Sequence, residues 1–323
     1  MKLIEIPAPD FDLAKTLDSG QVFQWQKAGA GFVGAIEDHA VYVEQRKDVL
    51  IASGAPFKTV DNSVGGLTRW VADYFALDHP LKRIRDSLPR DPTMDAAKDF
   101  CRGLRIIRQP KWECLATFIC SSMKQVAHIR QISRALRQRF GEERKIAGVP
   151  VFTFPGPERL AGGSEKQLRE CALGYRAKNL LATARLIAGG EVELRALAGL
   201  SDDALRDTLC GLPGIGPKVA NCVMLFAYER LRAFPVDVWI GRVLRENYFP
   251  RSRRLNPKRL RALTEGYFGD YGGYAQQYLF HHARTMRALE GRAPSRPPPG
   301  WGRQPFDQLR ASSGRPSMTK DAE

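Results

Sequence analysis

The stretch LCGLPGIGPKVANC, residues 209–222, carries the strongest structural signal in this chain. Residues 204–210 are helical in character, Gly214 and Gly216 permit a tight reversal, and Pro217 suits the first position of a new helix. The pattern therefore predicts a helix-hairpin-helix. A glycine turn of this kind leaves backbone N–H groups free at a helix N-terminus, where the helix dipole favours an anion such as a phosphate group.

Two ionisable residues accompany this hairpin. Lys218 occupies the first turn of the second predicted helix, where the helix dipole disfavours a positive charge and favours the neutral amine, a nucleophile. A lone lysine there is more commonly a solvated residue or a phosphate contact. Asp237 directly precedes a run with helical spacing, and aspartate is among the best N-cap residues. As a cap alone, Asp237 would be structural.

The composition favours a polyanionic partner. The 323 residues carry 50 Lys and Arg against 35 Asp and Glu, which gives a net charge of +15 and a pI near 9.8. The last 33 residues hold six basic and three acidic side chains, so most of this charge belongs to the rest of the chain. A positive balance of this size is typical of nucleic-acid-binding proteins. The length predicts more than one domain.

The chain divides into three regions that differ in composition and sequence pattern. Residues 1–92 contain short β-type runs and then apolar residues at helical spacing that could cover a sheet. Residues 93–290 are helical in character apart from a loop at 148–157, and residues 291–323 have the proline-rich composition of a flexible tail. The predicted fold class is α+β, an N-terminal antiparallel β-rich domain packed on an all-helical helix-hairpin-helix domain.

The block at 209–222, together with PVDV at 235–238, resembles the helix-hairpin-helix DNA glycosylases and, within them, the 8-oxoguanine DNA glycosylase family. The resemblance covers most of the chain and is that of a divergent bacterial-type member. It implies that Lys218 attacks the sugar C1′ to give a Schiff base and expel the lesion base, and that Asp237 supports the developing sugar cation. The implied activity is that of a bifunctional DNA glycosylase and AP lyase of base excision repair.

General chemistry agrees with these roles. A lysine amine forms an imine with the aldehyde carbon of an opened deoxyribose, and the imine acidifies the C2′ proton so that the 3′ phosphate leaves by β-elimination. A carboxylate near an oxocarbenium-like centre stabilises it electrostatically, and this role is compatible with helix capping. Lys218 alone could therefore support both reactions.

The resemblance includes a carbonyl that selects the oxidised base. In LDSGQVFQW, residues 17–25, Gly20 is expected to present its backbone carbonyl to the flipped base. Oxidation at C8 converts guanine N7 from an acceptor to an N–H donor, so a fixed carbonyl favours the lesion over guanine. Without the surrounding motif, Gly20 would be read as an ordinary turn glycine.

A second segment, YAQQYLF at residues 274–280, resembles the base-pocket helix of the family. Gln276 and Phe280 are four residues apart and so share one helix face. The resemblance implies that Gln276 reads the Watson–Crick edge of the base, which lies between Phe280 and Cys222. Taken alone, Phe280 and Cys222 would be interpreted as core residues.

Two further segments resemble those that contact the strand opposite the lesion. In LGYRA, residues 173–177, the resemblance implies that Tyr175 wedges beside the vacated space and that Arg176 donates to the orphaned cytosine. FICSSMKQVAH, residues 118–128, departs from the animal enzymes, which place asparagines after the two serines and an arginine at the last position. The departing residues in the second segment are Met123, Lys124, Gln125 and His128.

Cytosine offers two acceptors, and methionine cannot donate to either of them. These departures therefore predict weakened selection for cytosine opposite the lesion. Near Asp237, Trp239 also replaces a histidine of the animal enzymes.

Cofactors and membrane attachment are not expected. The six cysteines are scattered, which fits reduced and mostly buried thiols, and the absence of any cysteine after Cys222 excludes the iron-sulfur branch of the superfamily. No residues suggest a metal site. The sequence shows neither an 18-residue apolar run nor a leader. The expected protein is a soluble monomer that acts on damaged double-stranded DNA, cytoplasmic and nucleoid-associated in a bacterium or nuclear in a eukaryote.

Other interpretations remain open at this point. The enzyme could excise another damaged purine, such as an alkylated base, although glycosylases of that class generally use the aspartate without the lysine. It could act chiefly as an AP lyase, because imine chemistry needs only the opened sugar. A non-enzymatic helix-hairpin-helix DNA-binding protein would explain the charge and the hairpin but not the combination of Lys218 and Asp237.

Overall fold

The computed structural model describes residues 3–54, 64–122, 124–250 and 257–290. Met123 and the predicted flexible tail at 291–323 lie outside the described residues.

An antiparallel sheet forms the N-terminal part, with its strands in the order β1-β5-β4-β3-β2. Its members are β1 (Ile4–Pro7), β2 (Gln26–Ala28), β3 (Gly31–Ile36), β4 (His39–Arg46) and β5 (Val49–Gly54). Val41 and Val43 of β4 are fully buried, because this central strand is covered on one face by apolar side chains.

Most of the remaining described residues are helical. The α-helices are α1 (Leu13–Asp18), α2 (Val64–Tyr74), α3 (Leu81–Ser87), α4 (Pro92–Phe100), α5 (Lys111–Cys120), α6 (Val126–Phe140), α7 (Pro157–Ala161), α8 (Glu165–Leu168), α9 (Arg176–Ala188), α10 (Asp202–Gly211), α11 (Pro217–Ala227), α12 (Val238–Val243), α13 (Pro257–Ala262) and α14 (Gly272–Leu289). Short 3₁₀ turns at Ala196–Gly199 and Gly269–Tyr271 and π turns at Arg169–Leu173, Leu244–Tyr248 and Leu263–Tyr267 connect them.

Two main hydrophobic cores hold these layers. The smaller core lies between the sheet and α2, where Val71 and Phe75 are fully buried as the apolar spacing predicts. The larger core fills the helical part around α5, which is buried along nearly its whole length. Burial of this much apolar surface is the dominant stabilising contribution. The predicted α+β class, with a β-rich part followed by a helical one, is confirmed.

A two-stranded hairpin in the helical part differs from the sequence prediction. β6 (Glu143–Ile146) pairs with β7 (Val149–Phe152), where the sequence indicated a loop at 148–157. The expectation of an entirely helical second part is therefore wrong at this point. Ile146 and Val151 of the hairpin are buried against Val33 and Ala40 of the N-terminal sheet, so the hairpin joins the two parts of the fold. This tertiary burial stabilises strands that are too short to be recognised locally.

Candidate active site

The predicted helix-hairpin-helix is present, with α10 and α11 joined through the glycine turn. Gly214 has φ +79°, and a Cβ there would lie 2.7 Å from the Cβ of Asn179, so both conformation and space require glycine. Thr183 Oγ1 donates to the Pro213 carbonyl at 3.1 Å and fixes the turn. Pro217 opens α11, and Gly216 caps that helix without a side chain, which leaves its first N–H groups accessible to an anion.

Lys218 lies partly buried at the start of α11, beside the C-terminal end of α5. Its Nζ donates a hydrogen bond to Ser121 Oγ at 3.1 Å and lies 5.3 Å from the centroid of the Phe118 ring. Phe118 stacks on Phe226 in the larger core, so it is held rigidly. The amine is thus held on an ordered surface between two helices.

Asp237 is the N-cap of α12, as the sequence predicts. Its Oδ1 accepts a hydrogen bond from the Ile240 N–H at 2.8 Å. Burial raises the pKa of the Asp237 carboxyl above its ordinary value, while the Ile240 N–H and the positive charge of Lys218 act in the opposite direction. Lys218 and Asp237 are therefore close enough to interact electrostatically.

Cys222 lies one turn beyond Lys218 on α11 and is only 4% exposed. Burial raises the pKa of its thiol to about 11, and the nearby Lys218 charge only partly offsets this. The thiol is consequently neutral at physiological pH. Cys222 belongs to the apolar cluster against which Phe280 also packs.

Gly20 and Phe280 meet at the junction of the N-terminal and helical parts. Gly20 has φ +83°, and a Cβ there would lie 3.0 Å from Phe280 Cε1 and 3.2 Å from Val126 Cγ2. One turn before Phe280 on α14, Gln276 is 4% exposed. Among the described residues, no hydrogen-bond partner reaches Gln276 Oε1. Such a buried polar atom requires a partner, and a bound ligand could supply one.

Two glutamines fix the segment that contains Gly20. Gln21 donates from Nε2 to the Arg105 carbonyl at 2.8 Å, and its Oε1 accepts from the Ile107 N–H at 2.8 Å. Gln277 of α14 donates to the Ser19 carbonyl at 2.9 Å. The backbone on both sides of Gly20 is therefore held by buried hydrogen bonds, which preorganises the Gly20 carbonyl.

An ion cluster beside Gly20 was not recognised from the sequence. Asp18 pairs through Oδ1 with Arg130 Nη2 of α6 at 2.7 Å, and its backbone carbonyl accepts from Arg284 of α14. The Arg284 guanidinium also lies 5.7 Å from the Phe280 ring. This cluster joins three elements around Gly20 and leaves an excess of positive charge there. These partners are distant in sequence, so no local pattern identifies them.

Tyr175 and Arg176, which are predicted to face the opposite strand, differ in their exposure to solvent. Tyr175 is 57% exposed, as a wedge requires, whereas Arg176 is only 5% exposed. Arg176 donates from Nε to the Ser122 carbonyl at 2.8 Å, with Nη2 on the same oxygen, and from Nη1 to the Leu173 carbonyl at 3.2 Å. A guanidinium has five N–H donors, so two remain beyond these contacts.

The remaining predicted residues belong to the start of α6 and to α12. His128 is exposed in the first turn of α6, and Lys124 is partly buried just before it. Met123, from the same segment, lies outside the described residues. Trp239 lies near Arg242 and Arg287, whose guanidinium carbons are 5.9 and 6.0 Å from the centroid of its ring.

Clusters of metal ligands and membrane-spanning helices are absent from the residues that the structure describes. In those ranges, no group of three or more His, Cys, Asp or Glu side chains is arranged to hold a metal ion. None of the helices between residues 3 and 290 that the structure describes has the length and apolar character needed to span a bilayer.

The sequence matches the models of two protein families, which together span residues 3–267. Residues 3–115 match the family described as "8-oxoguanine DNA glycosylase, N-terminal domain". Residues 116–267 match the "HhH-GPD superfamily base excision DNA repair protein". The second match gives the class that the fold and the hairpin define, a helix-hairpin-helix protein of base excision repair.

Curated relatives give the family within that class. The chain is 30% identical to the N-glycosylase/DNA lyase OGG1 of Arabidopsis thaliana, with 86% of this chain and 78% of the relative covered. It is also 30% identical to the N-glycosylase/DNA lyase of Saccharomyces cerevisiae, with coverages of 83% and 82%. This chain belongs to the 8-oxoguanine DNA glycosylase family.

Solved structures agree with this assignment. The structure of MBOgg1 in complex with a low affinity DNA ligand is similar to this one, with a TM-score of 0.82 and 32% sequence identity. The match covers 88% of this chain and 96% of the MBOgg1 chain. The Clostridium acetobutylicum 8-oxoguanine glycosylase/lyase, in complex with double-stranded DNA containing cytosine opposite 8-oxoG, has a TM-score of 0.80 and 29% identity, with coverages of 89% and 99%. A 3-methyladenine DNA-glycosylase from Archaeoglobus fulgidus, at 19% identity and a TM-score of 0.72, shares the fold.

Proposed function

We propose that this protein is a bifunctional DNA glycosylase and AP lyase that excises 8-oxoguanine or a similar oxidised purine from duplex DNA. The observation that carries the proposal is the position of Lys218, whose amine lies at the start of α11 within electrostatic reach of Asp237. This pair supplies a nucleophile and an anion where a sugar cation would develop. The relatives named N-glycosylase/DNA lyase support the same activity.

Base expulsion and strand cleavage follow from one residue. The Lys218 amine forms a bond to C1′ while the bond from C1′ to the base nitrogen breaks, and the base leaves with that electron pair and with a proton from the lysine nitrogen. The sugar then opens as its ring oxygen takes up a proton from solvent, which gives the protonated imine. This imine acidifies the C2′ proton, and loss of that proton expels the 3′ phosphate with its electron pair by β-elimination. Asp237 stabilises the positive charge at the sugar during the first of these steps.

Recognition of the lesion is assigned to the pocket at the junction of the two parts. Residues 1–92 would contribute the Gly20 carbonyl as acceptor for the N7–H of the oxidised base, and residues 93–290 the remaining groups. Gln276, with its unpartnered buried Oε1, reads the Watson–Crick edge, and Phe280 and Cys222 lie on the two faces of the base. The neutral thiol of Cys222 suits a stacking face, because a neutral sulfur is polarisable and carries no desolvation cost of a charge.

The DNA strands are assigned to the surface around this pocket. The N–H groups at Gly214 and Gly216 bind backbone phosphate, and Trp239 with its flanking arginines lies beside the flipped nucleotide. Tyr175 fills the vacated space, and Arg176 offers its two remaining donors to the orphaned base. All of these residues come from a single chain, so a monomer acting on chromosomal DNA, in a nucleoid or a nucleus, is sufficient.

A panel of duplexes distinguishes this proposal from its alternatives. The protein is incubated with duplexes that contain 8-oxoguanine, an abasic site, an alkylated purine or guanine, with and without borohydride. Release of 8-oxoguanine together with a borohydride-trapped adduct and a nicked strand is expected. Release of the alkylated base without an adduct would indicate a glycosylase for alkylated purines. An adduct with the abasic site alone would indicate an enzyme that acts chiefly as an AP lyase. Binding without any reaction would indicate a non-enzymatic DNA-binding protein.

A further inference from the structure

Ser121 lies at the C-terminal end of α5, where Lys218 approaches from α11. The Ser121 hydroxyl donates to the Phe118 carbonyl at 2.7 Å, and the same oxygen accepts the hydrogen bond from Lys218 Nζ at 3.1 Å. A hydroxyl has one proton and two lone pairs. Because the proton is committed to Phe118, the contact with Lys218 uses a lone pair of Ser121 and an N–H of the amine.

The backbone around Ser121 is fixed on both sides. The Ser121 N–H donates to the Phe118 carbonyl at 3.1 Å, and the Lys124 N–H donates to the Ser121 carbonyl at 3.1 Å. Arg176 holds the carbonyl of the next residue, Ser122, through two guanidinium nitrogens. Ser121 itself is 5% exposed, so water has little access to compete for its oxygen. The acceptor for Lys218 is therefore rigid and mostly desolvated.

We infer that Ser121 is a positioning residue for Lys218 and that Arg176 keeps it in place through the Ser122 carbonyl. Because one N–H of Lys218 is directed at Ser121 Oγ, the lone pair with which the amine attacks points away from Ser121 and is left for the sugar C1′. Ser121 neither gains nor loses a proton when the bond to C1′ forms and the base leaves with the electron pair. The inference rests on the proposed function, because it gives Lys218 the role of nucleophile.

The arrangement also links the two sides of the DNA site. Arg176, which is assigned to the orphaned base, and Lys218, which is assigned to the lesion sugar, contact adjacent residues of one turn. A guanidinium anchored on two carbonyls presents its remaining donors in a fixed direction. The same anchor restrains Ser121, so the position of the nucleophile and the position of the opposite-strand reader depend on one short segment.

An isosteric pair of variants tests the role of the hydroxyl alone. Ser121→Thr keeps the hydroxyl and Ser121→Val replaces it with a methyl group of the same shape, so both change packing equally. Single-turnover excision of 8-oxoguanine and the rate of borohydride trapping are measured, with the Kd for lesion DNA and Tm. We expect Ser121→Val to be about tenfold slower than Ser121→Thr in both rates, the scale of one positioning hydrogen bond, with the same Kd and Tm.

Ser87 provides a matched control. Its hydroxyl donates to the Ile84 carbonyl at 2.7 Å at the end of α3, the same bond that Ser121 makes to Phe118 at the end of α5. Ser87→Ala should leave both rates unchanged. Equal rates for Ser121→Thr and Ser121→Val would overturn the inference. Slower rates in Ser121→Val that are accompanied by weaker binding of lesion DNA or by a lower Tm would also overturn it. A wild-type protein that gives no adduct with any duplex would instead overturn the proposed function, and this inference with it.

Discussion

Gly20 and Phe280 are in contact across the junction of the β-rich and helical parts, where a Cβ on Gly20 would lie 3.0 Å from Phe280 Cε1. The glycine comes from the segment after α1, and the phenylalanine comes from the C-terminal helix α14. This contact brings together the proposed carbonyl that selects the oxidised base and the proposed stacking ring. The proposed base pocket therefore requires that both parts of the chain are folded against each other.

Gly20→Ala is expected to slow excision of 8-oxoguanine by about tenfold or more. The added methyl group meets Phe280 and Val126, and the positive φ of +83° disfavours any side chain. Gly29→Ala is the matched control, because Gly29 has φ +56° but open space around a Cβ. Both variants should lose stability in thermal unfolding because of their positive φ, with a further loss in Gly20→Ala from its close contacts, and only Gly20→Ala should lose excision. Equal excision by the two variants would show that this contact does not shape the base pocket.

Asp237→Asn keeps a capping oxygen for the Ile240 N–H but removes the negative charge. If the charge stabilises the sugar cation, excision should slow on the order of 10²-fold, as for other preorganised electrostatic groups, with little change in Tm. Single-turnover excision and thermal unfolding measure the two effects separately. Unchanged excision would identify Asp237 as a cap alone, because asparagine retains the cap.

The raised pKa of Asp237 predicts opposite pH trends for rate and stability. Excision needs the carboxylate of Asp237, so the excision rate should fall as pH falls through the raised pKa. Asp237→Asn should not show this decrease in rate at low pH. A raised folded-state pKa contributes stability that is fully present below the unfolded value of about 3.9 and is lost as pH rises through the folded value. The Tm of wild type relative to Asp237→Asn should therefore decrease with rising pH. A pH-independent difference in Tm would contradict this.

His128→Arg is expected to strengthen the preference for cytosine opposite the lesion. His128 is exposed at the start of α6, and a guanidinium there adds fixed donors for the cytosine acceptors. The gain should be a part of the roughly 1 to 3 kcal/mol that one good bidentate base contact contributes. Excision opposite each of the four bases is compared for the two proteins. A wild type that already cuts only opposite cytosine, with no effect of the substitution, would show that other residues read the partner strand.

The sequence predicted those features whose determinants are local. The glycines and Pro217 of the hairpin and the cap at Asp237 each follow from a few adjacent residues, and the structure has them where they were expected. The β6–β7 hairpin was missed, because its strands are four residues long and contain charged side chains and Pro150. Its stability comes from burial against the N-terminal sheet, which no local pattern reports.

The contacts that hold Lys218, the proposed nucleophile, could not be predicted for the same reason. Ser121 and Lys218 are 97 residues apart, and Asp18 and Arg284 are 266 residues apart. The sequence identified Lys218 from its hairpin but gave no sign of what holds its amine. Such contacts depend on how α5, α11 and α14 pack together, so they emerge only in the folded structure.

The central claim is that Lys218 is the nucleophile, and borohydride trapping on 8-oxoguanine duplex tests it most directly. Lys218→Gln should give no covalent adduct and no strand nicking, while its affinity for lesion DNA stays close to that of wild type. Lys111→Gln is the matched control, because Lys111 also occupies the first turn of a helix, and it should be trapped like wild type. An adduct that persists in Lys218→Gln would contradict the assignment and the mechanism built on it.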